Sequence, residues 1–233
     1  PLQVVRNQAT PDWQERDWQT LAATDQQEQL TVYLKKDRRR GFEVAQAPLM
    51  RFALMRLEPE LHRLVWSYHH LLSDGWSTLL IVKQVRATYE SLRNRAQLQS
   101  STARPYRDYI SWLQQQDREE AAGFWRKRLA GFDAPTPLGL DRASAAYGRQ
   151  NEYGQETIEL PAAKTQILAD FARTQRLTLN TLVQGAWAWV LSRCSGETDL
   201  VFGTTVSGRP VDLAGVEDMV GPFINTLPVR VQV

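Results

Sequence analysis

Two of the three histidines in the 233-residue chain, His69 and His70, are adjacent, and Asp74 and Gly75 follow them closely. Imidazole is the side chain whose ordinary pKa lies near neutrality, so it suits proton transfer at physiological pH. A carboxylate and a glycine N–H close by could take part in such chemistry. A polar strand end followed by an Asp-Gly turn would contain the same residues, so a histidine pair by itself leaves both interpretations open.

Asp74 and Gly75 each admit two roles. Asp74 could be a second acid or base, or the structural partner of a cation, and the structural role is favoured. Gly75 fits either a backbone with positive φ or a close approach of its N–H to a substrate oxygen. Both possibilities favour glycine, so the sequence leaves the role of Gly75 open.

Other polar and aromatic residues are assigned structural roles. Trp76 is expected to pack rather than to touch substrate, and Ser77 is expected to cap the following helix rather than to act as a nucleophile. Asn225 is placed on a loop, where a structural hydrogen bond is favoured over a substrate contact. Cys194 has no histidine near it in the sequence and is not expected to be a nucleophile. No metal site is predicted, because no cluster of Cys or His residues accompanies the histidine pair.

The histidine pair is expected at the end of a strand. Residues 61–68 alternate as a strand does, and a short turn at residues 58–60 joins them to a strand at residues 49–57 in a hairpin. Beyond Ser77, apolar residues recur near helical spacing to about Arg93, which predicts a strand, a tight loop and a helix. Because neighbouring side chains of an extended backbone point to opposite faces, one histidine should face a site and the other should pack inward.

The remaining elements are predicted from hydrophobic periodicity and turn residues. Helices are predicted at residues 11–24, 106–116, 119–129 and 161–176, and strands at residues 30–36, 155–160, 199–206 and 226–233. A very apolar helix, expected to be buried on most sides, is predicted from an Asn180 cap to about Arg193. The arginine run at residues 38–40 and Gly41 are assigned to a loop, either a solvated bend or an anion site. A loop over residues 131–150 is the predicted boundary between two lobes.

The composition is that of an ordinary globular protein. The chain has 42% hydrophobic and 23% charged residues and a formal net charge of +2, which excludes disordered and disulfide-scaffold classes and gives no general electrostatic signature of a nucleic-acid-binding protein. No apolar run is long enough to span a bilayer, and the single cysteine favours a reducing compartment, so a cytoplasmic location is expected. Both ends look cut, which suggests a piece of a longer polypeptide.

Four segments, in order, resemble the motifs of one protein family. Residues 68–77, YHHLLSDGWS, resemble the HHxxxDG signature of the condensation domains of non-ribosomal peptide synthetases. The other three segments similar to family motifs are YRDYISW at residues 106–112, FGTTVSGRP at residues 202–210 and VGPFINTLPVR at residues 220–230. The resemblance extends over essentially the whole chain.

The resemblance implies an α/β fold like that of chloramphenicol acetyltransferase, with two lobes and a channel between them. Residues 1–140 would then be the N-terminal lobe, incomplete at its start, and residues 141–233 the first part of the C-terminal lobe, truncated at its end. The family are acyl transferases that join aminoacyl or peptidyl groups held as thioesters on carrier proteins, in the biosynthesis of antibiotics and other secondary metabolites. The resemblance makes His70 the residue that deprotonates or orients the attacking amine, and Arg209 the partner of Asp74 from the other lobe, in a bidentate pair.

The resemblance therefore names His69, His70, Asp74 and Gly75 as candidate catalytic residues, with Arg209, Trp76, Ser77 and Asn225 as structural or orienting residues. The domain itself would bind no cofactor, because 4′-phosphopantetheine belongs to partner carrier domains. The expected partners are an upstream donor carrier, a downstream acceptor carrier and an adenylation domain in the same chain, with neither nucleic acid nor membrane.

Related activities remain as alternatives. Thr205 stands where epimerisation domains carry a glutamate, and heterocyclisation domains replace the histidine pair with aspartates, so both are disfavoured. Acyltransferases that use coenzyme A often share only the HxxxDG core, and the doubled histidine favours a condensation domain over them. A catalytically silent, condensation-like docking domain is the alternative from a different functional class.

Overall fold

The computed structural model describes residues 4–6, 8–97, 103–138, 156–210 and 212–233. These residues belong to two compact units, and each unit consists of two separate segments of the chain. The first unit comprises Pro1–Gln114 and Gly208–Ile224, and the second comprises Gln115–Ser207 and Asn225–Val233. The lobe boundary predicted between residues 140 and 141 lies outside the described residues.

The first unit is built on a three-stranded sheet. Its elements are β1 (Asp12–Asp17), α1 (Ala23–Arg40), β2 (Met50–Arg56), β3 (His62–Tyr68), α2 (Gly75–Arg93) and α3 (Tyr106–Gln114). The strand order is β1-β2-β3, with β1 parallel and β3 antiparallel to β2. The predicted hairpin of β2 and β3 and the helix after it are therefore confirmed.

Helix α1 packs on the face of the sheet that carries the alternate buried residues of β2. Leu30 of α1 and Ala53 and Met55 of β2 are buried together with Trp18. Gln26, Leu30, Tyr33 and Asp37 are buried or half-buried at a spacing of four, three and four residues, as expected for the inward side of a helix.

Three predictions of local structure in this unit were wrong. Residues 12–17 form the strand β1 instead of a helix, because their backbone pairs with β2 in parallel register. Residues 30–36 lie within α1 instead of a strand, and Val32 and Leu34 of that stretch are exposed. The arginine run forms the last turn of α1 and not a loop, and Gly41, with φ of 59°, ends the helix.

The helices and the strand pair of the second unit were predicted in type and approximate position. The helices are α4 (Arg118–Arg128), α5 (Ala162–Thr174) and α6 (Leu179–Ser195), and the antiparallel pair consists of β4 (Asp199–Val206) and β5 (Asn225–Gln232). Ala188 and Leu191 of α6 are buried with Leu200 of β4.

Details of the second unit differ from the sequence-based expectations. Thr178 caps α6 in place of Asn180, and Trp187 and Trp189 are 47% and 60% exposed, so α6 is not buried on most sides. Residues 156–160 form no strand. Asn225 begins β5 instead of lying on a loop.

Candidate active site

The histidine pair lies on the loop between β3 and α2, in the first unit. The loop is tied at its start by the N–H of His69, which donates to the carbonyl of Leu49 at 2.9 Å. Across it, the hydroxyls of Tyr68 and Thr78 are 2.7 Å apart, which connects the last residue of β3 to the first turn of α2. Both ends of the loop are therefore fixed to regular elements.

His69 is half-buried, and its ring is held by two neighbours. Nδ1 accepts a hydrogen bond from the backbone N–H of Leu71 at 3.1 Å, so the neutral ring carries its proton on Nε2. The Phe42 ring meets the imidazole edge to face with 6.3 Å between centroids. An acceptor role for Nδ1 is inconsistent with a proton there, so this side chain is fixed in one tautomer.

His70 is exposed and lies in a turn. Within the described residues its side chain makes no hydrogen bond, ion pair or ring contact. Because β3 ends at Tyr68, the alternation expected for an extended backbone does not extend to the pair. The two histidines nevertheless occupy different environments, His69 against Phe42 and His70 open to solvent.

Asp74 is 1% exposed and is the N-cap of α2. Its Oδ1 accepts from the N–H of Ser77 at 2.7 Å, and its Oδ2 accepts from the N–H of Phe223 at 3.0 Å. Burial acts to raise the pKa of Asp74, but the hydrogen bonds from Ser77 and Phe223 and the charge of Arg209 outweigh it and hold the pKa below its ordinary value. The carboxylate is charged and fully engaged at neutral pH.

Arg209 belongs to the same unit as Asp74, because the return segment Gly208–Ile224 folds back onto the first unit. Its Nη2 lies 3.7 Å from Oδ1 of Asp74, so the pair is a single, longer contact and the predicted bidentate geometry was wrong. The guanidinium donates instead to Oγ of Ser77 at 2.9 Å, to the carbonyl of Met219 at 3.0 Å and to that of Val216. Burial lowers the pKa of Arg209, and the Asp74 charge opposes this.

Ser77 joins the helix α2 to the return segment. Its hydroxyl is fully buried, donates to the carbonyl of Gly221 at 2.8 Å, and accepts from the N–H of Gly221 at 3.0 Å and from Arg209. A hydroxyl offers one donor and two acceptor positions, and here all three are used. The predicted helix-capping role was wrong, since Asp74 caps α2.

Gly75 and Trp76 begin α2 on its exposed side. Gly75 has a φ outside the left-handed region, and a Cβ built on it would meet nothing within 4 Å among the described residues. This excludes the positive-φ explanation for the glycine. Trp76 is 54% exposed and donates from Nε1 to the carbonyl of Glu217 at 2.9 Å. The Arg209 guanidinium lies over its ring, 5.6 Å from the centroid, so Trp76 contacts the return segment with both its edge and its face.

The structure brings seven of the eight predicted site residues into one unit, and it shows three neighbours that sequence reasoning missed. The eighth, Asn225, belongs to the second unit, where its Oδ1 accepts from the N–H of Thr226 at 2.8 Å. The missed residues are Phe42, Gly221 and Phe223. Phe223 is 1% exposed and lies under the Arg209 guanidinium, 3.8 Å from ring centroid to Cζ. The available signal was the GPF tripeptide at residues 221–223, which lies within the VGPFINTLPVR segment that resembles a family motif.

A cavity of about 390 Å³ is lined by Phe42, the residue whose ring contacts His69. Its lining also includes Asp12, Arg40 and Glu43, so both signs of charge face it. Among the described residues no three His, Cys, Asp or Glu side chains come together as a set of metal ligands. No helix in the described part of the chain is long and apolar enough to cross a membrane.

The family model for the condensation domain matches residues 1–233, and the chain belongs to this family. Its relatives include a component of the linear gramicidin synthase of Brevibacillus parabrevis, which is 46% identical over 99% of this chain and 4% of that protein. Chondramide synthase cmdD of Chondromyces crocatus is 40% identical over 100% of the chain and 6% of its own length. The chain thus spans a small part of these much longer synthases.

Solved condensation domains share the fold. The first condensation domain of the calcium-dependent antibiotic synthetase, in complex with a substrate analogue, matches 95% of this chain and 51% of its own, with a TM-score of 0.69 and 20% identity. The starter condensation domain of rhizomide synthetase, in complex with C8-CoA, matches 97% and 50%, with a TM-score of 0.73 and 23% identity. The α/β fold is therefore that of the condensation domains, which is like that of chloramphenicol acetyltransferase. Condensation domains of non-ribosomal peptide synthetases are acyl and peptidyl transferases.

Proposed function

We propose that this chain forms the amide bond between two carrier-bound thioesters in non-ribosomal peptide synthesis. The α-amine of the acceptor attacks the carbonyl of the donor thioester. A C–N bond forms, the C–S bond breaks, and the donor's arm leaves as a thiol after taking up the proton that the amine loses. The lengthened chain then remains on the downstream carrier.

The observation that carries the proposal is the open imidazole of His70 on a loop with both ends fixed. His70 has no side-chain partner among the described residues, so a bound amine would not have to displace one. His69 differs, because its Nδ1 is already occupied by the Leu71 N–H. His70 is therefore proposed as the residue that receives the amine, and His69 as its support.

Positioning should matter at least as much as proton removal. An α-amino group has a pKa of about 7.7–8.0, so an appreciable fraction is neutral at physiological pH without help. General base catalysis contributes roughly 10²–10⁴-fold, whereas orienting two reactants can supply as much as about 7–11 kcal/mol. His70 is proposed to aim the amine and to take its proton as the C–N bond forms.

Asp74 is proposed as a positioning residue and not as an acid or base. Both of its oxygens accept backbone hydrogen bonds, and its pKa is depressed, which makes it a poor proton acceptor. Gly75 is proposed to let a substrate oxygen approach its backbone N–H, since no positive φ requires the glycine. Trp76 and Ser77 fasten the return segment, and Asn225 remains a predicted structural residue of the second unit.

The partners follow from the reaction. An upstream donor carrier and a downstream acceptor carrier would each present a substrate on a 4′-phosphopantetheine arm, and an adenylation domain would load it. One neighbour, holo-AB3403, is a four-domain nonribosomal peptide synthetase bound to AMP and glycine; it matches 97% of this chain with a TM-score of 0.68 and 21% identity. A cytoplasmic location is proposed with these partners.

The test is the rate of amide formation by the complete condensation domain that contains this chain, with donor and acceptor carriers loaded in vitro. His70→Ala should lower the single-turnover rate by roughly 10²-fold or more. The matched control is His62→Ala, at the distant start of β3, which should leave the rate unchanged. A loss smaller than about threefold for His70→Ala would refute a direct role. Carrier binding without any amide product in the parent domain would instead identify a silent docking domain.

A further inference from the structure

Helix α1 ends in a dense run of positive charge. Five of the last six residues of α1 are cationic, namely Lys35, Lys36, Arg38, Arg39 and Arg40, and all five are exposed. We call these five residues the basic end of α1. With Asp37 inside the run, the five cations give residues 35–40 a formal net charge of +4, against +2 for the whole chain.

Most of this charge is unpaired. Within the described ranges, only Arg40 has an acidic partner, Asp12, at 2.8 Å. Asp37, the carboxylate inside the run, instead accepts from the buried Arg51 and from Ser67. Four exposed cations on neighbouring turns therefore have no counter-charge supplied by the described residues.

The geometry of the helix turns these charges outward. Successive residues of an α-helix are about 100° apart around the axis, so the five cations occupy an arc of about 200° around it. Asp37, which faces the sheet, lies on the opposite side of that arc. The basic end of α1 is thus one continuous outward surface.

The needs of the helix do not account for this surface. Cations in the last turn favour the helix dipole, but Lys35 and Lys36 lie before that turn. The pairs 35–39 and 36–40 place like charges four residues apart, which destabilises a helix. Helix α4 also ends in a basic run, Arg126, Lys127 and Arg128, without two further cations directly before it.

We propose that the basic end of α1 is the docking surface for the carboxylate-rich face of a carrier-protein domain; this rests on the proposed function. A carrier must dock and leave in every cycle, and exposed charges accelerate association without making the complex long-lived. The phosphodiester that joins the arm to its carrier adds a further anion. The run rises only about 9 Å along the helix, too short a surface to follow the phosphates of a nucleic acid.

The test compares two charge reversals in the complete condensation domain. Lys36→Glu with Arg39→Glu reverses the proposed surface. Arg126→Glu with Lys127→Glu reverses two charges in the last turn of α4, so the cost of this control to its helix dipole is no smaller. Amide formation is measured while each loaded carrier is titrated in turn. The α1 variant should raise KM for one carrier about fivefold or more at ~0.05 M salt with kcat unchanged, and the difference should shrink towards ~0.5 M salt as screening increases. The α4 variant should match the parent.

A binding measurement separates failure of this proposal from failure of the proposed function. Fluorescence anisotropy of each labelled holo-carrier reports docking whether or not amide is formed. Weaker binding by the α1 variant alone supports the docking surface, even if the parent domain forms no product. If parent and α1 variant bind both carriers equally well, the docking surface is overturned. It is also overturned if the parent domain binds a DNA duplex or phosphatidylserine vesicles more tightly than it binds either carrier at the same salt.

Discussion

Substitution of Ser77 by alanine tests whether one hydroxyl holds the return segment on α2. The change removes three hydrogen bonds at a fully buried position, two to the Gly221 backbone and one to the Arg209 guanidinium. A neutral hydrogen bond is worth about 0.5–1.5 kcal/mol and one to a charged group about 1.5–3 kcal/mol. The free energy of unfolding should therefore fall by about 3–5 kcal/mol, which is among the larger effects of a single substitution.

The assay is equilibrium unfolding in urea of the complete condensation domain. A lower midpoint with an unchanged slope reports a loss of stability rather than a change in the exposed surface. The matched control is Ser111→Ala in α3, where an exposed hydroxyl makes one bond, to the carbonyl of Arg107 at 3.0 Å. This control should change stability by less than about 0.5 kcal/mol. A loss below about 1 kcal/mol for Ser77→Ala would show that the three bonds do not fasten the segment.

Three further predictions concern the same frame. Because the pKa of Asp74 is lower in the folded protein, its contribution to stability is present above the unfolded pKa of about 3.9 and is lost as pH falls towards the folded value. Asp74→Asn should therefore remove this part of the loss of stability in acid. Parallel curves of unfolding free energy against pH for parent and variant, between pH 6 and 3, would contradict this prediction. Gly75→Ala should leave the unfolding midpoint unchanged or slightly higher, while the rate of amide formation falls. A destabilised variant would show instead that the backbone conformation at this position requires glycine. Gly221→Ala should destabilise the domain strongly, because its Cβ would overlap the Tyr106 ring. A Cβ at Gly123 in α4 meets none of the described residues within 4 Å, so Gly123→Ala should stabilise the domain by up to about 1 kcal/mol, and thermal unfolding of both variants measures the difference.

The elements around the histidine pair were predictable because their sequence pattern and their tertiary environment agree. Strand β2, MRFALMR, is almost entirely apolar between its arginines, and a short turn separates it from β3, so the hairpin is visible in the sequence. Helix α2 begins directly after the Asp74 cap, within one turn of the predicted start. Local signals were sufficient for this part of the fold.

The preceding β1 and α1 could not be predicted from local signals. Strand β1 is largely polar, and its conformation depends on parallel pairing with β2, whose paired residues begin about 39 positions later. The inward side of α1 includes Gln26, which donates to three carbonyls, and Asp37, which accepts from Arg51. A hydrophobicity pattern cannot show an inward surface made partly of polar groups.

At the site, likewise, the sequence predicted which residues take part but not how they are arranged. The motif resemblance named Asp74 and Arg209, but not that Ser77 lies between them and takes the guanidinium hydrogen bond expected for the carboxylate. The carboxylate is thereby left to cap α2 and to hold Phe223.

Tyr106 of α3 also fastens the return segment. Burial raises the pKa of Tyr106 to about 12, so its hydroxyl stays protonated at neutral pH and donates to the carbonyl of Pro222 at 2.8 Å. The side chains that fasten the return segment thus keep fixed charges and proton positions at neutral pH. The proposed function assigns proton transfer to the open imidazole of His70. Loss of the side chains that fasten the return segment should therefore be measured as loss of stability, whereas loss of His70 should be measured as loss of rate.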